Sequence, residues 1–137
     1  MKVFIAVLVV IGLLAGIGIG QAEMISAKLE TYADTKTQEP KTEDLTVKNI
    51  AYTYYTAKYD RCLVLVEKFL TLDKYQSSPN KEFVMYMRAK CFDRKLFNRE
   101  AFVYYEEYSK EYPEGKYKKD VTWRMTDLRA SSGTTNQ

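Results

Sequence analysis

The side chains that usually carry out catalysis are scarce in this sequence, and those present are poorly spaced for it. No histidine occurs among the 137 residues, which removes the usual general base near pH 7 and the base partner of a serine or cysteine nucleophile. Glu106 and Glu107 are adjacent, and adjacent side chains on a helix point about 100° apart. They therefore cannot face one substrate as an acid–base pair. We predict no enzyme activity and no catalytic residue.

The two cysteines do not have the spacing of a metal or redox site. Cys62 and Cys91 lie 29 positions apart and outside any C-x-x-C arrangement, so neither a zinc site nor a thioredoxin-like redox site is indicated. At most they form one disulfide bond. We expect no metal, no cofactor and no small-molecule substrate.

A cluster of cations beside aromatic residues raises nucleic-acid binding as an alternative function. Its members are Arg88, Lys90, Arg94, Lys95 and Arg99. The net charge of the chain is only +3 and the signs are interleaved, so long-range attraction to a polyanion is weak. We therefore expect no nucleic-acid partner, and a steep salt dependence of DNA or RNA binding would be needed to support one.

The first segment of the chain is apolar and has the properties of a membrane or signal segment. Residues 3–20 contain no charged or polar side chain, and about 17 to 25 such residues span a hydrocarbon core. Gly12, Gly16 and Gly20 repeat every four positions, the small-residue pattern with which membrane helices pack closely. A secretory signal cleaved before Glu23 fits equally well, and the glycines would then be its flexible end.

The charge distribution around this segment predicts export of the remainder of the chain. Lys2 precedes the apolar run and a large polar region comes after it, so everything after Glu23 is expected to be translocated. A retained segment makes the chain a single-pass protein of the inner membrane with its domain in the periplasm, and cleavage makes the domain a soluble periplasmic one. No cysteine stands at the cleavage point, so we do not expect a lipid anchor.

The polar region is predicted to be helical. Apolar residues recur at spacings of three and four, Pro79 and Pro113 mark breaks, and no alternating β-branched stretch predicts a strand. We predict an all-α protein with helices at 45–57, 60–74, 81–95, 98–111 and 117–130. The predicted organisation is a signal anchor or signal peptide (1–22), a linker (23–44), a helical domain (45–130) and a disordered tail (131–137). Met24, Ala27 and Leu29 give a weak helical pattern over residues 23–33, which leads into the linker.

Small and aromatic residues recur within the helical domain in the order typical of a tetratricopeptide repeat. The five positions of that pattern are occupied by Ala89, Phe92, Ala101, Tyr105 and Pro113. Small residues let two antiparallel helices approach closely while aromatic rings fill the space beside them. The alternative interpretation is an ordinary helical hairpin with the same core residues.

The preceding pair of helices repeats the pattern with a longer period. Ala51 and Ala89 are 38 positions apart, and Cys62 and Ala101 are 39 apart, against about 34 in the family. Residues 104–125 resemble the repeats of periplasmic tetratricopeptide proteins of bacterial envelopes, including the outer-membrane-protein assembly lipoprotein and the Tol-Pal coordinator. The resemblance covers residues 50–128, or about two and a half repeats.

This resemblance implies a non-catalytic adaptor that binds a protein partner, with an accessory role in a membrane complex. In such repeats the first helix of each pair lines a concave binding face. The corresponding outward residues would be Lys48, Tyr52, Tyr55, Tyr86, Lys90, Asp93 and Arg94. The architecture also places Cys62 and Cys91 on adjacent helices, so a disulfide between them is one expectation and two buried thiols are the other.

Overall fold

The computed structural model describes residues 21–35 and 41–133, and every regular element within these ranges is helical. The helices are α1 (Ala22–Thr35), α2 (Lys41–Tyr55), α3 (Tyr59–Thr71), α4 (Lys81–Arg94), α5 (Asn98–Glu111) and α6 (Lys118–Gly133). A short 3-10 helix, Asp73–Tyr75, comes after α3. The predicted all-α class is confirmed for the described residues. The apolar segment with Gly12, Gly16 and Gly20 lies outside them.

The chain divides into two compact units, with the boundary between Lys58 and Tyr59. In the first unit α1 packs against α2, and the amide of Asn49 donates a hydrogen bond of 2.9 Å to the carbonyl of Ser26. We predicted that residues 45–57 and 60–74 pair as one repeat. The boundary falls between these two segments, and within its own unit α2 packs against α1; the pairing of the two segments stays a prediction.

Much of the segment predicted as a linker is helical. Residues 23–35 form most of α1, and α2 begins at Lys41, four residues before the predicted start. Glu43 and Asp44 lie in the first turn of α2, where carboxylates complement the helix dipole. The sequence indicated only a weak helix over 23–33, because α1 has little apolar periodicity and is held by its contacts with α2.

In the second unit each helix packs on the next, and α4 contacts both α3 and α5. Ala89 and Ala101 have no exposed surface, as expected for small residues between closely packed helices. Tyr105 and Tyr108 of α5 are also completely buried, together with Val121 of α6. Burying a large apolar side chain completely contributes roughly 1.5–3 kcal/mol, so these residues contribute substantially to the packing of α4, α5 and α6.

Two helices end in the same type of turn, with a side chain where glycine is usual. Ala57 after α2 and Leu96 after α4 have φ of 58° and 61°, the left-handed region that costs a non-glycine residue about 1 kcal/mol. The next amide in each case, of Lys58 and of Phe97, donates back to a carbonyl five residues earlier, at 2.8 and 3.0 Å. This is the Schellman arrangement. The two turns are 39 positions apart, which matches the long repeat period.

Candidate partner-binding surface

An ion pair joins the last helix, α6, to α4, and a hydrogen bond from α5 reaches the same carboxylate. Arg124 donates from Nε and Nη2 to the two carboxylate oxygens of Asp93, at 2.7 and 2.6 Å. The hydroxyl of Tyr105 donates to the same carboxylate at 2.9 Å. The Asp93 side chain is only 8% exposed, so these donors replace the water that the charge has lost. Such bidentate, charge-assisted bonds are stronger and more directional than neutral ones.

The ionisation of this group is set by its partners. Burial alone would raise the pKa of Asp93, but the hydrogen bonds from Arg124 and Tyr105 outweigh it and hold the pKa below its usual range. The hydrogen bond to Asp93 raises the pKa of Arg124. Burial, and then the charge of Asp93, raise the pKa of Tyr105. At neutral pH the site is therefore a carboxylate held by a guanidinium and a neutral phenol.

Beside this ion pair lies a half-buried surface that we call the tyrosine face, formed by Tyr86, Lys90, Tyr117 and Asp120. The rings of Tyr86 and Tyr117 are stacked, with centroids 4.1 Å apart and planes 4° from parallel. The Tyr86 hydroxyl donates to Asp120 at 2.6 Å, and the Lys90 ammonium approaches the same oxygen at 3.4 Å. Both aromatic rings are thus fixed in orientation while part of each remains accessible.

The backbone of Tyr117, in the turn before α6, is held by a buried tyrosine of α5. The hydroxyl of Tyr108 accepts the amide of Tyr117 at 3.1 Å and donates to Glu82 at 2.6 Å. A Cβ at Gly115 would overlap the oxygens of Tyr108 and Glu82 and lie 2.8 Å from the Cβ of Tyr112. Glycine is therefore required at this position by the close approach of side chains and not by its backbone angles.

The residues predicted to bind a partner are only partly brought together. In the second unit Tyr86 and Lys90 belong to the tyrosine face and Arg94 is exposed at the end of α4. Asp93 is not a surface residue, because α6 covers it and supplies Arg124 as its partner. Tyr117 and Asp120 were not among the predicted residues. The signal that could have found Asp120 is the 34-residue period, since it lies 34 positions after Tyr86.

The remaining three predicted residues lie on α2, in the first unit. Lys48 is exposed and pairs with Asp44 at 2.6 Å. Tyr55 is 79% exposed and meets Tyr54 edge to face, with 5.4 Å between ring centroids. Tyr52 is half-buried. Tyr55 is the most accessible aromatic ring of this group, and their role in binding stays a prediction.

The cation cluster is largely engaged within the protein. Arg88 lies between Glu67 and Glu107, at 3.6 and 2.6 Å, and its guanidinium covers the ring of Tyr104 at 4.3 Å. Lys95 pairs with Asp60. These contacts neutralise cations that a nucleic acid would need, so the alternative function gains no support from the structure.

The two cysteines are reduced thiols, both completely buried, on the adjacent helices α3 and α4. A hydrogen bond with Cys62, followed by burial, raises the pKa of Cys91 far above its ordinary value. In this state they act as small apolar residues, and the predicted disulfide stays a prediction. No group of His, Cys, Asp or Glu suited to a metal ion occurs within residues 21–35 and 41–133.

A family model described as "YfiO: Outer membrane lipoprotein" matches residues 20–132. No curated protein and no solved structure matches the chain. In the part of the chain that the structure describes, no helix has both the length and the apolar character needed to cross a membrane.

The match corrects the predicted location. We expected a single pass through the inner membrane with the domain in the periplasm, and this prediction is wrong because the matching family is one of outer membrane lipoproteins. Lipoproteins are held by covalently attached acyl chains, which bind a bilayer without a spanning segment. The chain's own cysteines, Cys62 and Cys91, are buried in the helical domain, so neither is placed to carry such a lipid in this fold.

Proposed function

The chain belongs to the YfiO family of outer membrane lipoproteins, and from this membership we propose that it is a non-catalytic adaptor of the bacterial envelope. It works at the outer membrane by holding another protein against its helical domain. The partner is a component of a membrane complex, of which this chain is an accessory subunit. No step of this function involves covalent chemistry.

The packing of α4, α5 and α6 supports a tetratricopeptide-type binding domain. Ala89 and Ala101 are buried between α4 and α5, and Phe92 stacks on Tyr104 with centroids 4.9 Å apart. In this type of repeat α4 and α6 would be the first helices of successive pairs, which line the concave face. The tyrosine face is built from α4, from α6 and from the turn that precedes α6.

The observation that carries the proposal is the rigid, half-exposed stack of Tyr86 on Tyr117. Aromatic rings provide most of the binding energy at protein interfaces when they are centrally placed and well packed. Here the bond from the Tyr86 hydroxyl to Asp120 orients the Tyr86 ring, and the Tyr117 ring is held by stacking on it while its backbone amide donates to Tyr108. Binding then costs little side-chain entropy. We propose that a helix or extended segment of the partner places an apolar side chain on this stack.

Site-specific photocrosslinking in intact envelopes tests this proposal. A benzophenone amino acid replaces Tyr86, which preserves an aromatic ring at that position. The control replaces Lys110, which projects from α5 with 73% of its side chain exposed. We expect a discrete adduct from position 86 and none from position 110. Equal adducts from both positions, or none from either, would contradict the proposed surface.

A second measurement separates binding from folding. Tyr86→Ala removes one ring of the stack, and Lys110→Ala removes a side chain of the control surface. We expect the Tyr86 variant to lose stoichiometric co-purification of the partner in mild detergent while its helical circular dichroism is unchanged. If the Tyr86 variant retains the partner as well as the Lys110 variant does, the tyrosine face is not the binding site.

A further inference from the structure

The turn between α4 and α5 presents two large apolar side chains to solvent. Leu96 is 78% exposed and Phe97 is 47% exposed, and they are consecutive at the tip of the hairpin. Phe97 retains one intramolecular aromatic neighbour, Phe92, with 6.4 Å between ring centroids. Leu96 is exposed to a degree unusual for a leucine, and so its side chain contributes little to the core.

The backbone conformation of Leu96 is one that large side chains rarely adopt. Its φ of 61° lies in the left-handed region, where glycine is the usual residue at the end of a helix. The equivalent turn after α2 has the small residue Ala57 at the same position. Local folding therefore favours a smaller residue than leucine here. The leucine side chain is retained at a position where neither the backbone nor the core requires it.

Cations surround the two apolar side chains. Arg94 and Arg99 are both exposed and flank the tip. Lys95 lies 4.9 Å from the ring centroid of Phe97 and also pairs with Asp60. Asp60 neutralises Lys95 and Glu100 follows Arg99 along the chain, so Arg94 and Arg99 leave the turn with a small excess of positive charge. An apolar tip between arginines suits a surface with acyl chains below and phosphates above.

We propose that the α4–α5 turn, residues 94–99, inserts Leu96 and Phe97 into the anionic surface of the membrane while Arg94 and Arg99 bind lipid phosphates. This inference rests on the proposed function, because it takes the chain to be held at the outer membrane.

A lipid surface fits this tip better than a protein partner. A stable protein interface buries about 800 Å² on each partner, and two side chains at a convex tip provide far less. Shallow insertion of a few apolar groups gives weak, reversible membrane binding. Weak binding is sufficient for a chain that its partner complex holds at the membrane, because this raises the effective concentration of the turn at the bilayer surface. The turn then sets the orientation of the domain on the bilayer.

Fluorescence quenching by brominated lipids tests the insertion directly. Phe97→Trp in a Trp123→Phe background places the indole at the tip, and the wild-type chain provides the matched control, since Trp123 is 64% exposed on α6. The full-length proteins are reconstituted into vesicles of phosphatidylethanolamine and phosphatidylglycerol with acyl-chain bromines. We expect the indole at position 97 to be blue-shifted and quenched, and Trp123 to be neither. An unquenched indole at position 97 would overturn the proposal, and a blue shift without quenching would indicate burial by protein instead.

Adding Leu96→Asn to the labelled chain removes the apolar tip, and asparagine tolerates the left-handed backbone. We expect roughly ten-fold weaker insertion, the factor that corresponds to losing one partly buried leucine side chain. Crosslinking from position 86 should be unchanged in the same variant. If quenching is absent but that crosslink persists, only the membrane inference fails, whereas loss of the crosslink in the wild-type background refutes the proposed function.

Discussion

Replacing Arg124 by methionine should destabilise the second unit by leaving a buried carboxylate without its cation. Methionine keeps much of the apolar stem of arginine but removes both bonds to Asp93, which measure 2.7 and 2.6 Å. Only the hydroxyl of Tyr105, at 2.9 Å, then remains as a donor to this carboxylate. The variant therefore tests the ion pair and not the packing of α6.

The loss of unfolding free energy in this variant depends on how deeply Asp93 and Arg124 are buried. Removing one member of a buried pair costs about 3–5 kcal/mol, because the other charge stays desolvated. The side chain of Asp93 is 8% exposed, but that of Arg124 is 22% exposed, so some water can reach the vacated site. We therefore expect a loss at the lower end, about 3 kcal/mol at pH 7. With a urea m-value of about 1–1.5 kcal/mol/M, the unfolding midpoint falls by about 2 M or more.

The pH dependence gives the prediction its specific signature. In the wild type the pKa of Asp93 is lowered, so its contribution to stability is complete above the ordinary aspartate pKa of about 4 and is lost as the pH falls through the folded value. In the variant the same buried carboxyl loses its bonded cation and keeps only the Tyr105 hydrogen bond and the charge of Lys90, so its pKa should rise relative to the wild type. Protonation then relieves the penalty. The difference in unfolding free energy should be largest near pH 7 and shrink on acidification.

Urea unfolding followed by circular dichroism at several pH values measures this difference. Asp127→Asn is the matched control, because Asp127 also pairs with Arg124 but is 53% exposed. Exposed pairs contribute about 0–1 kcal/mol, so this control should change stability little. A loss in the Arg124 variant that is the same at pH 4 and pH 7 would refute the electrostatic explanation.

Three further predictions concern Gly115, the two left-handed turn positions and the pair of cysteines. Gly115→Ala should lower the free energy of unfolding by about 1–3 kcal/mol, because the alanine Cβ would overlap neighbouring oxygens. Unchanged stability in urea would show that these neighbours can move away. Leu96→Gly and Ala57→Gly should each raise the free energy of unfolding in urea by about 0.5–1 kcal/mol, because glycine adopts the left-handed conformation without strain. A decrease for Leu96→Gly would mean that the leucine side chain packs within the domain. Both thiols are buried and the pKa of Cys91 is raised, so a small-molecule disulfide should react with them only when the domain opens, for example in low urea. Exchange should then join Cys62 to Cys91 while the reagent is reduced to two thiols, lower the chain mass by two hydrogens and raise the unfolding midpoint. A stable mixed disulfide on either cysteine would show that they cannot reach each other.

Local sequence patterns predicted the helices of the second unit well. The apolar spacing and the breaks at Pro79 and Pro113 placed a helix at 98–111, where α5 lies at Asn98–Glu111, and another at 81–95, where α4 is Lys81–Arg94. The small residues Ala89 and Ala101 were expected between helices and are buried there. Helix formation depends on residues three and four positions apart and on terminal breaks, and all of this information is contiguous in the sequence. The resemblance to envelope proteins could also be predicted from the sequence, because the repeat pattern that carries it is local.

Which side of each helix is covered was decided by contacts between distant residues. Asp93 has the spacing of a surface residue, and its burial is made favourable by Arg124, 31 positions later, together with Tyr105. The helix α1 was only weakly indicated, over residues 23–33, because its polar sequence has little apolar periodicity of its own and its partner Asn49 is supplied by α2. The sequence by itself determined helix type, approximate bounds and the absence of histidine chemistry, since these depend on composition and near neighbours. Tertiary structure alone decided which charges are paired and which aromatic rings stay accessible, because a charge can be buried only where the fold brings its partner to it.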